Sequence, residues 1–492
     1  MEQFNTYITE IGEYGIVEQV RTPLAIISGL MGAHLNEIVV FESGEKGQVF
    51  MVQKDAVTVL IFSKESVIVG TRVTRTNQFL SVPVGNDVLS KMIDPLGGSL
   101  VSNQPEIMHL PKREIDTKVV GMVGREKITQ PFYTGTSLID MLVPLGKGQK
   151  ELVIGDRKTG KTSFLLTAMK TQAKNGVKII YAAIGKKKSD IKRVRAFFEQ
   201  EGLTDSTVIV ATSSYDSPSL IYLTPYSAVT IAEFFRDQGQ ETLVVLDDLS
   251  THAKFYREIS LLANRFPGRE SYPGDIFYTH ARLLERAGNY DINGKEVSVT
   301  ILPVAELVEG DFSGYIATNL MGITDGHIYF DSNSFYEGKR PAVNVSLSVT
   351  RVGKQTQSKL RKSITQEITA FLGTYQKMQN LSHFGAELTD TVKNILSTGE
   401  LAYNFFEQHY NTVLPINVQI VLFGILWLKF FPEASISEIR DYRERLISLY
   451  EMDEGKKYID AFVVDVNSFN ELLSKITQKK EELIKICLIK TK

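Results

Sequence analysis

From Gly12 to about Gln78 the chain is built of short apolar runs broken by glycine and charge: GIVEQV, LAIISGL, EIVVFES, GQVFMVQ, AVTVLIF and SVIVGTRV. Each is too short for a helix, and strands of this length and spacing with glycine at the corners predict a small closed β-barrel or sandwich. After SVPVGNDVLSKMIDPLGG (81–98) an irregular stretch runs to Thr136 and contains Pro105, Pro111 and Pro131. A helix is predicted from Ser137, in SLIDMLVPLGKGQ. The pattern then alternates. Residues 151–154 (ELVI), 177–184 (VKIIYAAI), 207–211 (TVIVA) and 242–247 (TLVVLD) are nearly unbroken apolar runs, with helical patterns over 189–202 and 225–237 among them. Such strands, alternating with helices, predict a parallel sheet covered on both faces. Beyond Gln357 glycine becomes scarce, and helical patterns run over 358–379, 387–409 and 417–431, followed by a charged run over 468–485. Three domains are expected: a β-barrel over 1–78, an α/β domain over 79–357 and a helical domain over 358–492.

Composition narrows the class without changing this picture. The chain has 492 residues, 43% hydrophobic and 23% charged, enough for two or three domains with a large core. Its 55 basic and 57 acidic residues give a net charge of −2, so no bulk attraction draws it to nucleic acid or an anionic membrane. A single cysteine, Cys487, excludes an internal disulfide. The opening MEQFNTYITEIGEYG is polar and acidic, unlike an export signal. The longest apolar stretch, Val413 to Leu428, is interrupted by Pro415, Asn417 and Gln419 and falls short of a bilayer span. The expectation is a cytoplasmic protein, with any membrane link made through partners.

The candidate chemistry lies at 151–170, ELVIGDRKTGKTSFLLTAMK. An apolar strand runs into a loop bounded by Gly155 and Gly160, and then into a helix-forming run. This spacing is that of a phosphate-binding loop: backbone N–H groups converge on phosphate oxygens, and the helix presents its positive dipole end there. Gly155, Asp156, Arg157, Lys158, Thr159, Gly160, Lys161, Thr162 and Ser163 are the expected nucleotide contacts. Lys161 would reach the β and γ phosphates, and the Thr162 hydroxyl could ligate Mg²⁺. Asp247 and Asp248 follow the strand run Thr242 to Leu246, where phosphate-loop proteins place the aspartate that holds Mg²⁺ directly or through water. Asp247 is the better candidate, since it follows the apolar run immediately; a turn or capping residue is the bland alternative. The expected fold is thus a barrel, a phosphate-loop (RecA-like) α/β domain and a helical domain, with ATP or ADP and Mg²⁺ as cofactors.

Beyond these motifs a wider likeness emerges. The loop reads GDRKTGKT, and downstream come LTPYSAVTIAEFFRDQG (223–239), LDDLSTHAKFYREISLL (246–262), PGRESYPGDIFYTHARLLERAG (267–288), TNLMGITDGHIYF (318–330), GKRPAVNVSLSVTRVG (338–353) and HFGAEL (383–388). Along nearly its whole length the sequence resembles the α subunits of F-type rotary ATPases, whose loop reads GDRQTGKT. The resemblance implies a ring of three plus three subunits, in which this protein alternates with a catalytic β-type partner around a central rotor shaft.

It also implies roles for particular residues. In the catalytic β subunit a carboxylate after a glycine orients the attacking water; here Lys186 follows Gly185. Ordinary α subunits have glutamine at that position. An ammonium could stabilise bound nucleotide but could not polarise water as a carboxylate does. Nucleotide binding without turnover is therefore expected, with a solvent-facing Lys186 as the bland alternative. Arg351, in SVTRVG, matches the arginine that α subunits project into the neighbouring β site. Arg340 and Pro341 match residues that flank adenine, and Gln408 matches one of two glutamines in the adenine loop, whereas Tyr410 replaces the second. Lys158 replaces the family's glutamine and adds a charge to the phosphate loop. The sequence reaches its barrel by about Gly12, where α subunits carry a further arm for the peripheral stalk, so stator attachment is expected to differ or be absent. That leaves open an ATP-driven motor that hydrolyses without synthesising, like the divergent complexes of wall-less bacteria. Three rivals weaken on particular residues: a homohexameric secretion-type ATPase needs its own carboxylate at Lys186, a nucleic-acid translocase wants a basic surface, and a vestigial scaffold would not keep Lys161, Thr162 and Asp247.

Overall fold

The computed structural model describes residues 2–63, 67–102, 106–383, 389–409 and 412–488. Two compact units emerge: residues 1–127, 173–307 and 311–324 form the first, and residues 128–172, 308–310 and 325–492 the second. The α/β region is divided between them.

The first unit opens with helix α1 (Glu2–Ile11), followed by six antiparallel strands: β1 (Tyr14–Arg21), β2 (Leu24–Ser28), β3 (Glu37–Phe41), β4 (Lys46–Val52), β5 (Val57–Ile61) and β6 (Arg72–Phe79). They close in the order β1-β2-β5-β4-β3-β6, the barrel expected from the spacing. Val17, Ile27, Val39, Phe41, Val49 and Val59 are among the residues that fill its core, and closure removes the exposed edges an open sheet would carry. Phe4 anchors α1, buried, with the Arg72 guanidinium 5.5 Å from its ring. The sixth strand departs from the expected run SVIVGTRV. Ile68 and Val69 are exposed in a loop that turns at Gly70, and pairing begins at Arg72. The reason is polar burial: Thr74, Arg75 and Thr76 are buried, and Arg75 pairs with Glu37 at 3.2 Å and Glu13 at 3.0 Å.

The same unit holds a parallel sheet. Its strands are β8 (Lys178–Lys186), β9 (Thr207–Ser213), β10 (Thr242–Asp247) and β11 (Lys295–Glu306), numbered after β7 (Glu151–Gly155) of the second unit. They lie in the order β11-β10-β8-β9, with Met92–Ile93 beyond β9 and the antiparallel strand Gly288–Ile292 against β11. Every residue of β9 and β10 is buried, as their unbroken apolar runs require. Helix α4 (Lys188–Gln200) follows β8; α2 (Ser137–Leu142) and α3 (Lys161–Lys174) belong to the second unit. Helix α5 (Pro218–Asp237) begins seven residues before the expected 225, a difference of 225 − 218. Pro218 occupies the first turn, where its missing N–H costs nothing, whereas Pro225 is carried inside the helix. Helices α6 (Leu249–Leu262), α7 (Ile276–Leu284) and α8 (Tyr315–Ile323) complete the unit.

In the second unit β7 pairs in parallel with β12 (Gly326–Phe330), and β12 pairs antiparallel with the short strand Val349–Thr350. Helix α9 (Ser332–Tyr336) precedes that short strand, and beyond it the fold is helical: α10 (Lys359–His383), α11 (Asp390–Phe406), α12 (Ile416–Trp427), α13 (Ile436–Tyr450), α14 (Asp453–Val463), α15 (Phe469–Gln478) and α16 (Lys480–Leu488). Phe405, Phe406, Trp427 and Phe469 pack around Phe423. The charged run 468–485 is thus two helices, broken at Lys479. Residues 384–388 of HFGAEL lie outside the described residues. Among the described residues no helix is long and apolar enough to cross a membrane. Cys487 is buried and its thiol is pushed up to about 12 by that burial, consistent with an unreactive residue.

Candidate functional site

In the second unit β7 delivers the phosphate loop and α3 begins at Lys161. Gly155 is needed by close approach, since a Cβ there would lie 2.2 Å from the Phe330 carbonyl oxygen of the adjacent strand. Gly160 (φ 101°) and Lys158 (φ 65°) take left-handed backbone conformations, and Arg157 and Lys158 are exposed. The Thr159 hydroxyl donates to the Asp156 carbonyl at 2.8 Å. Asp156 accepts from the Gly310 N–H at 2.9 Å and the Ser332 hydroxyl at 2.6 Å, which pins the loop to segments far along the sequence. Lys161 curls its ammonium over the loop, donating to the carbonyls of Gly155 at 2.8 Å and Asp156 at 2.5 Å. Thr162 and Ser163 are half-buried in the first turn of α3. N–H groups at a helix start beside a held lysine form an anion cradle.

A cavity of about 280 Å³ opens from this loop, lined by Thr159, Gly160 and Ser163 at one side and by Arg340, Pro341 and Gln408 at the other. The phosphate-loop and base-flanking residues picked out in the sequence are thereby brought together. Arg340 stacks its guanidinium 3.7 Å from the centre of the Phe335 ring and donates to the Phe335 and Lys339 carbonyls. Its own carbonyl accepts from the Gln408 N–H at 2.8 Å. The Gln408 amide turns inward: its oxygen accepts from the Ser137 N–H and hydroxyl, and its nitrogen donates to the carbonyls of Gly135 and Thr412. All of its hydrogen-bonding capacity in the loop is thus used on the protein backbone and Ser137, and its structural part is to hold the wall of the cavity. Tyr410 lies outside the described residues. Phe164, Phe335 and His409 also line the cavity. Nothing in the spacing of Phe164 and Phe335 marks them, since an apolar residue on α3 or α9 reads equally well as core.

Arg351 follows the short strand Val349–Thr350 at the edge of β12 and is exposed. Its N–H and Nε both donate to the Asp325 carbonyl, at 3.1 and 3.3 Å. The strand is set by Thr350, whose hydroxyl donates to the Pro144 carbonyl at 2.8 Å, and by Gly353, where a Cβ would lie 1.7 Å from that same oxygen. Nearby Glu151 is buried, and burial holds its pKa well above the usual carboxylate range; a hydrogen bond from Gln149 opposes the shift, as does the Arg351 charge.

The first unit contains the other candidates. β8 and β10 are parallel with Ala183 opposite Asp247, so Lys186 overhangs the carboxyl end of its neighbour. Gly185 (φ 59°) makes the turn, and Lys186 does not face solvent. Its Nζ lies 2.6 Å from Asp247 Oδ1 and 3.0 Å from Asp248 Oδ2. The Tyr181 hydroxyl donates to Asp247 Oδ2 at 2.8 Å, and Asp248 Oδ1 caps α6 by accepting from the Thr251 N–H at 2.6 Å. Burial works against the Lys186 charge, but the two carboxylates together outweigh it and raise its pKa above that of a free lysine. Burial raises Asp247, with Lys186 opposing. Breaking a buried pair by removing one partner costs about 3–5 kcal/mol, so this arrangement is a firm one. Both Asp247 oxygens have partners, and among the described residues no group of three or more His, Cys, Asp or Glu could hold a metal ion. Asp247 as found does not fit direct ligation of a divalent cation.

Comparison with known proteins agrees with this geometry. Residues 135–350 match the nucleotide-binding domain of the ATP synthase alpha/beta family, and residues 357–485 match the C-terminal domain of ATP synthase alpha/beta chains. ATP synthase subunit alpha of Ehrlichia ruminantium (strain Gardel) is 38% identical over 481 residues, covering 94% of each protein. The subunit alpha of Neorickettsia sennetsu is 37% identical over 449 residues, covering 89% of this protein and 88% of that one. That of Orientia tsutsugamushi is 34% identical over 495 residues, covering 99% of this protein and 96% of that one. A barrel, a phosphate-loop α/β region and a helical region, matched in order and over nearly the full length, place this protein in the ATP synthase alpha/beta family, with similarity throughout to its alpha subunits.

Proposed function

We propose that this protein is the non-catalytic, nucleotide-holding subunit of a rotary ATPase ring, alternating with a catalytic beta-type subunit around a central rotor shaft. ATP or ADP is held with its phosphates at 155–163 and its base toward Arg340 and Pro341. Arg351 serves the neighbour's catalytic site. Contact with a membrane runs through other subunits, and nucleic acid has no part.

The observation that carries the reading is Lys186. Where a catalytic subunit needs a carboxylate to orient water, this protein has an ammonium ion-paired with Asp247 and Asp248. A protonated amine has no lone pair with which to take a proton, so general-base help is absent. The exposed Arg351 supports the other half of the reading. A guanidinium is always charged and offers forked donors to the oxygens of a transferring phosphoryl group.

The test is Arg351→Lys in the complex purified with its partner subunits. The ring should assemble as before, while ATP turnover falls by about 10³-fold or more, the scale of an arginine finger. Unchanged turnover in an assembled ring would overturn the assignment.

A further inference from the structure

The last turn of α11 is held from outside the helix. Arg443, buried on α13, donates from Nη2 to the Phe405 carbonyl at 2.7 Å and from its two terminal nitrogens to the Glu407 carbonyl at 3.1 and 3.2 Å. A helix leaves its final carbonyls without partners and carries the negative end of its dipole there, so a guanidinium suits this end twice over. Its placement is costly all the same. Burying a charge is unfavourable, and Arg443 Nε has no hydrogen-bond partner among the described residues. Burial, and after it the Arg440 charge, pull the pKa of Arg443 down to about 10, with Glu407 and Glu444 opposing. An apolar side chain of similar length would serve packing as well, since replacing a buried charge in that way is often no less stable.

What the guanidinium holds is the step from α11 into the nucleotide cavity. Glu407 caps the helix and Gln408 follows it. The Gln408 N–H reaches the Arg340 carbonyl at 2.8 Å, and its amide ties back to Ser137, Gly135 and Thr412. Gln408 and Arg340 both line the cavity, and every residue in this chain of contacts belongs to the second unit. Phe335, Pro341 and Ala342 add apolar surface beside them. Such a surface tells bases apart by contact area, so its discrimination depends on how closely its parts are set.

We infer that Arg443 is a positioning residue for the base end of the nucleotide site: by fixing where α11 stops it fixes Gln408, and with it the preference of the site for a purine over a smaller pyrimidine. The inference rests on the reading of this cavity as the nucleotide site. An Arg443 that merely braced α13 against α11 would affect every nucleotide alike.

The experiment is calorimetric titration of the purified full-length protein with ATP and with UTP, which share the triphosphate and differ in the base, both in excess Mg²⁺. The wild type should bind ATP about tenfold or more tightly than UTP. Arg443→Met should narrow that ratio to about threefold or less, through weaker binding of ATP with UTP little changed. Arg443→Lys, which keeps a cation with donors for the two carbonyls, should retain the wild-type ratio. An unchanged ratio in Arg443→Met, whatever its melting midpoint, overturns the inference, as does a wild type that binds ATP and UTP equally; both results leave nucleotide binding standing. Should Arg443→Met fail to fold, as judged by its melting curve, Arg443→Gln takes its place with the same narrowing expected. Failure of both to fold overturns the inference, since the residue then serves the fold as a whole. No binding of either nucleotide by the wild type overturns the inference and the nucleotide-holding role together.

Discussion

At the residue scale, Gly155 shows how narrowly the phosphate loop is seated. Its missing side chain lets β7 run against the Phe330 carbonyl, and a methyl group would meet that oxygen at 2.2 Å. The neighbour is backbone of a parallel strand, which cannot yield as a flexible side chain would. Gly155→Ala is therefore expected to weaken nucleotide binding by about tenfold or more and to lower the thermal midpoint, both measurable on the purified protein. An unaltered affinity would mean the loop is looser than its contacts require. Gln408 carries a different lesson. Its match to an adenine-loop glutamine is legible in the sequence, but the direction of its amide is not, because that depends on Gly135 and Ser137, more than 270 positions earlier. Lys186 is similar. Its place after Gly185 can be read directly, whereas its turn toward Asp247 and Asp248 depends on the register of two strands distant in sequence.

At the element scale, the parts easiest to read are those whose burial is wholly apolar. β10 matches its apolar run residue for residue, and β8 and β9 match theirs to within two residues at either end. Strands and helices that bury polar groups are harder. The apolar pattern misplaces β6 because Arg75 is buried with Glu37 and Glu13, and it shortens α5 because Pro225 looks like a boundary. Helices α6 and α7 also meet through a polar contact, the pair His252 and His280, at 3.2 Å. His252 Nε2 donates to the Tyr222 carbonyl, so its Nδ1 accepts from His280 Nε2, and both rings are neutral. Burial lowers the pKa of His252 to about 4 and that of His280 well below the usual histidine range, with the neighbouring His252 adding to the latter. A folded-state pKa below the unfolded value means that the unfolded protein binds more protons between about pH 6.5 and 4. Stability should fall as pH drops through that window, by about 2 kcal/mol between pH 7 and pH 5 from His252 alone. Denaturant melts at the two pH values check this, and replacing both histidines with asparagine should flatten the dependence.

At the scale of the whole molecule, the phosphate loop and its cavity belong to the second unit and the Lys186–Asp247–Asp248 cluster to the first. Each is built by residues from several segments, which is why motif spacing identifies the participants better than it describes their bonding. The three-part architecture is legible because barrel, parallel strands and helices differ in apolar period; the later helices α13 and α14 are not marked out, since their amphipathic faces follow closely on one another. The proposed role of this protein is to hold nucleotide and leave hydrolysis to a partner. Its most direct test is to purify the protein alone and measure nucleotide affinity and ATP turnover on the same sample. Saturable binding of ATP or ADP with no turnover above background is the expected result, whereas appreciable hydrolysis by the isolated subunit would contradict the proposed role.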